Sequence, residues 1–174
     1  RGRGLSERNV TIFTLDALVL DLAAVVDHLE IERFAMAALL NGGPPAIAYA
    51  VAHPERVPRL ILWNSYARGA DYWDAPRQKA FRAMREADWQ TYSETLARVF
   101  FGGAELAALI RESTTPEVYK AFMDATRGFD VTHLLPQVRC PTLVLYTPSM
   151  AFAGLDTSRV LASRIPGARL AVVE

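Results

Sequence analysis

The segment that most constrains the fold of this 174-residue chain is Arg33 to Pro54, RFAMAALLNGGPPAIAYAVAHP. An apolar run from Phe34 to Leu40 meets Asn41-Gly42-Gly43, and AIAYAVAH then continues with helical composition. A short apolar run stopped by Asn-Gly-Gly reads as a buried strand, although its alanines are poor strand formers. Pro44 and Pro45 fit only the first turn of the next helix, where no backbone donor is needed. The segment is therefore a strand, a tight turn and a helix. In α/β proteins that unit is where a nucleophile or a phosphate is presented.

The flanking sequence extends the same pattern. Thr14 is placed to cap a helix over TLDALVLDLAAVVDHLE, in which Leu15, Leu18, Leu22, Val25 and Leu29 form one apolar stripe. RLILW, residues 59–63, reads as a strand closed by Asn64-Ser65-Tyr66, and PTLVLY (141–146), DTSRVLASRI and ARLAVV read as strand, helix and strand. This alternation predicts an α/β fold, a mostly parallel sheet with helices on both faces. Between Gly69 and Gln137 the period is helical throughout, broken at Pro76, Gly102-Gly103 and Thr115-Pro116. The expected organisation is one domain: a core segment over 1–68 carrying the turn, an all-helical cap inserted over 69–137, and a core segment over 138–174. Trp73, Phe81, Trp89, Tyr92, Phe100, Phe101, Tyr119 and Phe122 are expected to pack the cap's own core.

Composition excludes several function classes. Lys+Arg and Asp+Glu number 19 each, so no net field attracts nucleic acid or an anionic membrane. Cys140 is the one cysteine, which rules out a disulfide framework and a Cys-based metal site and fits a reducing, cytoplasmic setting. No apolar run approaches the roughly 18 residues of a membrane helix. The chain opens on Arg1-Gly2-Arg3-Gly4 with neither Met nor an apolar leader, so it is expected to be part of a longer protein without a signal peptide here. RGRGLS lacks P-loop spacing and reads as a basic, Gly-rich turn. No metal-ligand spacing occurs, and no cofactor is expected. His28 and His133 read as solvated or structural, His53 as ending the turn's helix on the side away from it, and Cys140 as facing the core.

Taken together, RGRGLS, TLDALVLDLAAVVDHLEIERFA, NGGPPAIAYAVAHPERVPRLIL, VRCPTLVLY and SRIPGARLAVVE resemble the α/β-hydrolase fold superfamily. More narrowly, LILWNSYARG, ESTTPEVYKAFMDA and FDVTHLLPQVRCPTLVLY are similar to hydrolase-like domains beside nucleotide cyclase or helix-turn-helix modules in bacterial signalling proteins. The resemblance implies a nucleophile elbow, GxSxG, on the strand–turn–helix. In this chain the motif falls on Ala38-Leu39-Leu40-Asn41-Gly42, so Leu40 occupies the nucleophile position and has no lone pair. The acid position after PTLVLY falls on Met150 or a neighbour; Asp156 comes too late. The resemblance implies a third member, a His beyond the last strand, which would fall past Glu174. Ser65 follows the RLILW strand, where some members place an alternative acid, but no His is placed to activate it.

These residues lead to a catalytically degenerate hydrolase-fold domain that binds a small apolar ligand or acts as a regulatory module. Its pocket candidates are Leu40, Asn41, Asn64, Ser65, Tyr66, Met150 and Phe152, with Leu40, Met150 and Phe152 giving an apolar floor. Two alternatives stay open: a hydrolase of small esters or lactones whose catalytic residues are altered or lie outside this chain, and a structural remnant. Self-association through an exposed sheet edge is a further expectation. A bulky Leu40 is expected to let the turn relax out of a strained backbone.

Overall fold

The computed structural model describes residues 1–10, 12–150 and 154–174. Helix α1 (Leu15–His28) is capped as expected: the Thr14 hydroxyl accepts from the Ala17 N–H at 3.2 Å. Strand β1 (Met36–Leu39) leads through a 3₁₀ turn at Leu40–Gly42 into α2 (Gly43–Ala52), and β2 (Leu60–Trp63) follows. The helical layer then comprises α3 (Gly69–Trp73), α4 (Pro76–Ala87), α5 (Trp89–Phe101), α6 (Ala107–Ser113) and α7 (Pro116–Arg127). A 3₁₀ segment at Thr132–Gln137 returns the chain to β3 (Thr142–Tyr146), α8 (Leu155–Arg164) and β4 (Arg169–Val172). The parallel sheet with flanking helices and an inserted helical layer follows the sequence reading, but the described core helices α1, α2 and α8 all pack on one face of the sheet, where helices are expected on both. The short α3 and the 132–137 segment were not signalled, because neither is long enough to show a period.

The strands run in the order β1-β2-β3-β4 and all pair in parallel. Right-handed crossovers that always step in the same direction keep their helices on one face. Accordingly Met36, Ala38, Leu60, Leu62 and Val144 point to a face covered by Ile47, Tyr49, Leu135, Leu161 and Ile165, with α1 lying outside α2. Each such fully buried Leu or Ile contributes about 1.5–3 kcal/mol. Cys140 belongs to this core, and burial pushes its thiol pKa up. The opposite face carries the ladders Ala37–Ile61–Leu143–Arg169 and Leu39–Trp63–Leu145–Ala171. A hollow of about 480 Å³ opens over Ala37, Ile61 and Leu143 on that side. It touches no residue of the turn and marks an uncovered sheet surface, not a site. Among the described residues, no helix is long and apolar enough to cross a membrane.

The helices of the cap begin and end at their own punctuation. Gly102, at φ +78, ends α5, and the Thr115 hydroxyl caps α7 by accepting from the Val118 N–H at 3.3 Å. Residues 1–4 dock on the cap. The Gly4 N–H donates to the Ser113 carbonyl at 2.7 Å, and the Thr114 hydroxyl donates to the Gly2 carbonyl at 3.2 Å. Gly2 sits at φ +69 against Phe13 and Val118, where a side chain would collide. The opening turn is thus part of the folded body, brought to α6 and α7 by contacts that no local sequence signal announces.

Candidate functional site

The turn after β1 builds the site from backbone geometry. Leu39 is extended, and Leu40 then enters the left-handed region at φ +49. A residue with a Cβ costs about 1–2 kcal/mol there. The expected relaxation therefore does not occur, and the surrounding contacts explain why. The Leu40 carbonyl accepts from the Gly43 N–H and, at 2.9 Å, from the Ser65 hydroxyl. The Tyr66 hydroxyl donates to Asn41 Oδ1 at 2.9 Å, and Asn41 Nδ2 lies 3.7 Å from Met123 Sδ in the cap. Gly43 is required by close approach, since a Cβ on it would sit 1.6 Å from Ser65 Oγ.

The other candidates hold the frame. Ser65 is fully buried with its proton committed to Leu40, and among the described residues no base reaches it. Of the chain's 3 histidines, His28 and His133 are exposed, and His53 packs at a tilt against the Tyr49 ring with centroids 4.6 Å apart. Asn64, at φ +47, accepts from the Thr147 N–H at 2.9 Å and donates to the Thr147 carbonyl at 3.2 Å. Trp63 Nε1 donates to the Thr147 hydroxyl at 3.0 Å. These bonds clamp the ends of β2 and β3 together. Met150 lies in a 3₁₀ turn, Pro148–Met150, half-buried, with its N–H on the Thr147 carbonyl at 3.2 Å. Phe152 lies outside the described residues. Asp156 is exposed and paired with Arg159 at 2.9 Å. Tyr66 borders a separate hollow of about 360 Å³ with Arg68, Asp71 and Asp156.

A pocket of about 210 Å³ lies between the turn and the cap. Leu40 and Asn41 supply the core side, and Tyr72, Trp73, Phe81, Tyr92, Leu96, Phe100, Tyr119 and Met123 supply the cap side. Met150, Asn64 and Ser65 do not line it, so of the residues expected to form an apolar floor Leu40 alone is seen there. Several cap aromatics do both jobs: Tyr92 and Tyr119 pack against Trp89 and also face the pocket. Their hydroxyls meet at 2.9 Å. Burial pushes the Tyr66, Tyr72, Tyr92 and Tyr119 pKa values up, so these hydroxyls stay neutral hydrogen-bonding groups.

Two polar lining residues escaped sequence reasoning, Arg3 and Gln78. The Arg3 guanidinium carbon lies 4.9 Å from the Tyr119 ring centroid and 4.6 Å from that of Phe122. Desolvation lowers its pKa from the ordinary arginine value. Nothing in RGRGLS signals this placement, which depends on docking against residues more than a hundred positions away. Among the described residues no group of His, Cys, Asp and Glu could hold a metal ion. Chemically, the pocket offers apolar surface, aromatic faces and hydrogen-bond donors. At the turn after β1 it offers the hydrocarbon side chain of Leu40.

Comparison with known proteins gives the setting. No family model matches the chain. RutD from Caulobacter sp. (strain K31), assigned as a carbamate hydrolase, is 28% identical over 187 residues, covering 98% of this chain and 68% of the relative. The 3-oxoadipate enol-lactonase 2 of Acinetobacter baylyi (strain ATCC 33305 / BD413 / ADP1) is 26% identical over 185 residues, covering 100% of this chain and 68% of its own length. The solved structure of an esterase from Exiguobacterium antarcticum superposes with a TM-score of 0.83 at 19% identity, covering 100% of this chain and 70% of the esterase. The chain thus spans about two thirds of the length of the proteins it resembles.

Proposed function

This chain has the fold of the α/β-hydrolase superfamily, and from that premise we propose that it is a small-molecule-binding domain that does not use the superfamily's nucleophile. The observation that carries the proposal is Leu40, at φ +49 on the strand–turn–helix and lining the pocket under the cap. Left-handed backbone at this turn is how the fold lifts a nucleophile toward substrate. Here it lifts an isobutyl group, which has no lone pair to form an acyl intermediate. Loss of the nucleophile removes several orders of magnitude of rate and leaves only what binding and nearby dipoles supply. The apolar and aromatic lining is retained, and that is the property of a ligand pocket.

A test uses methyl hexanoate as probe, titrated calorimetrically into the wild-type chain, with the ester assayed by gas chromatography after incubation. Saturable binding with the ester recovered intact supports the proposal. A Leu40→Trp substitution, which fills the pocket, abolishes that binding while the circular dichroism spectrum is kept. Absence of binding to folded wild-type protein contradicts it.

A second reading has a specific support. The relatives named above are a carbamate hydrolase, an enol-lactonase and an esterase by their descriptions. On that reading the chain belongs to a hydrolase of small esters or lactones, with catalytic groups altered or supplied from outside these residues. Consumption of methyl hexanoate, with hexanoate and methanol released in equal amounts over repeated turnovers, favours this second reading.

A further inference from the structure

The charge balance of the pocket over Leu40 is one-sided. Arg3 is its charged lining residue, and among the described residues no carboxylate lines it. The Arg3 guanidinium rests on the faces of Tyr119 and Phe122, and among the described residues no ion pair neutralises it. Ring faces hold a cation in place without consuming its N–H donors.

A second cation lies on the far side of the same aromatic wall. Arg85 lines a small recess that shares Trp73, Gln78, Phe81, Tyr92 and Met123 with the pocket. Its side chain is 6% exposed and its Nη2 has no hydrogen-bond partner among the described residues. Glu86 and Asp124 each approach Nη2 only to 3.9 Å, and Asp124 is also bound by Lys120. Between the two arginines stands the Tyr92–Tyr119 hydroxyl pair. Whichever hydroxyl accepts within that pair still has its own proton to donate. Against the donors of Arg3 and the tyrosine pair, the lining sets the amide oxygen of Asn41, which already accepts from Tyr66, and that of Gln78.

We propose that the pocket over Leu40 takes a small molecule with an apolar body and an anionic carboxylate head, the carboxylate meeting Arg3. This rests on reading the pocket as a binding site and adds the ligand class. An apolar body fits against Leu40, Leu96, Phe100 and Met123, while a carboxylate supplies a charged acceptor to the Arg3 guanidinium. A fork of guanidinium donors matches a carboxylate better than a neutral amide or alcohol.

The test is a calorimetric comparison of hexanoate with its neutral analogue hexanamide, on wild type, Arg3→Gln and Arg159→Gln. Arg159 is a surface arginine paired with Asp156 and serves as the charge control. Expected is wild-type binding of hexanoate about tenfold tighter than hexanamide, the effect of a charge-assisted hydrogen bond. Arg3→Gln then weakens hexanoate about tenfold and leaves hexanamide unchanged, and Arg159→Gln changes neither. Equal affinity of wild type for both probes, or an Arg3→Gln variant that keeps its preference for hexanoate, overturns the carboxylate inference and leaves the binding-site reading standing. If folded wild type binds neither probe, both fall.

Discussion

The backbone at Leu40 makes a prediction that separates strain from side-chain packing. Leu40→Ala and Leu40→Gly both remove the isopropyl end of Leu40 from the cluster of Tyr66 and Tyr72, so that loss cancels between them. They differ by one Cβ at φ +49. Removing a Cβ from the left-handed region recovers roughly 1–2 kcal/mol. The extra freedom of glycine in the unfolded chain takes back about 0.5–1 kcal/mol. Leu40→Gly is therefore expected to be roughly 0.5–1 kcal/mol more stable than Leu40→Ala, about 1–4 °C in Tm for a chain of this size. The neighbouring Leu39 provides an internal control, because it is extended at φ −106, ψ 140. There no strain is relieved, and Leu39→Gly is expected to be about 0.5–1 kcal/mol less stable than Leu39→Ala. Urea unfolding of the four variants reads both differences. A Leu40→Ala protein as stable as Leu40→Gly, or more so, would refute the left-handed elbow.

Other expectations follow from the same frame. Gly43→Ala forces its Cβ into Ser65 Oγ and should cost about 2–4 kcal/mol through overpacking and loss of the bond to Leu40, whereas Gly42→Ala, whose Cβ would meet only Ala38 at 3.8 Å, should be tolerated; thermal melts distinguish them. Asn64→Ala removes both bonds to Thr147 and places a Cβ-bearing residue without local hydrogen bonds at φ +47, for a loss of about 2–3 kcal/mol in urea, while Asn64→Gly keeps the backbone and should lose about half of that. The Thr132 hydroxyl and its N–H, at 2.9 Å, hold the Asp130 carboxyl below its ordinary pKa. A lowered carboxyl pKa stabilises the fold above the unfolded value of about 3.9 and ceases to do so as pH falls through the folded value. The Tm gap between wild type and Asp130→Asn should therefore close below about pH 4, and a gap independent of pH would contradict the assignment.

The fold was legible because its strongest elements carry redundant signals. α1 has an apolar stripe, an N-cap at Thr14 and an acidic first turn at Asp16. β1 was recognisable despite its alanines because Asn41-Gly42-Gly43 stops it and Pro44-Pro45 opens α2. The cap helices announced themselves through Thr115-Pro116 and the Gly102 stop. The site was legible only in part. That Leu40 stands on the turn after β1 follows from local sequence, but its left-handed φ depends on Ser65 and Gly43 meeting across the end of the sheet. Asn64 and Ser65 read from the sequence as pocket groups, yet their side chains are spent on backbone partners at Thr147 and Leu40. Arg3 shows the opposite case, a residue of an unremarkable turn carried into the pocket by tertiary docking against Tyr119 and Phe122. Polar residues committed to distant backbone atoms, and cations delivered from distant segments, leave no periodicity to read.

The central claim is that no nucleophile stands at the elbow, and covalent labelling tests it most directly. The folded wild-type chain is incubated with a fluorophosphonate, which forms an adduct with an activated serine, and its intact mass is measured beside that of a serine hydrolase treated in parallel. The account predicts that the hydrolase is fully labelled and that this chain keeps its unmodified mass, because Leu40 cannot react and Ser65 is committed to the Leu40 carbonyl. A stoichiometric adduct on a single serine, prevented by prior denaturation, would contradict it.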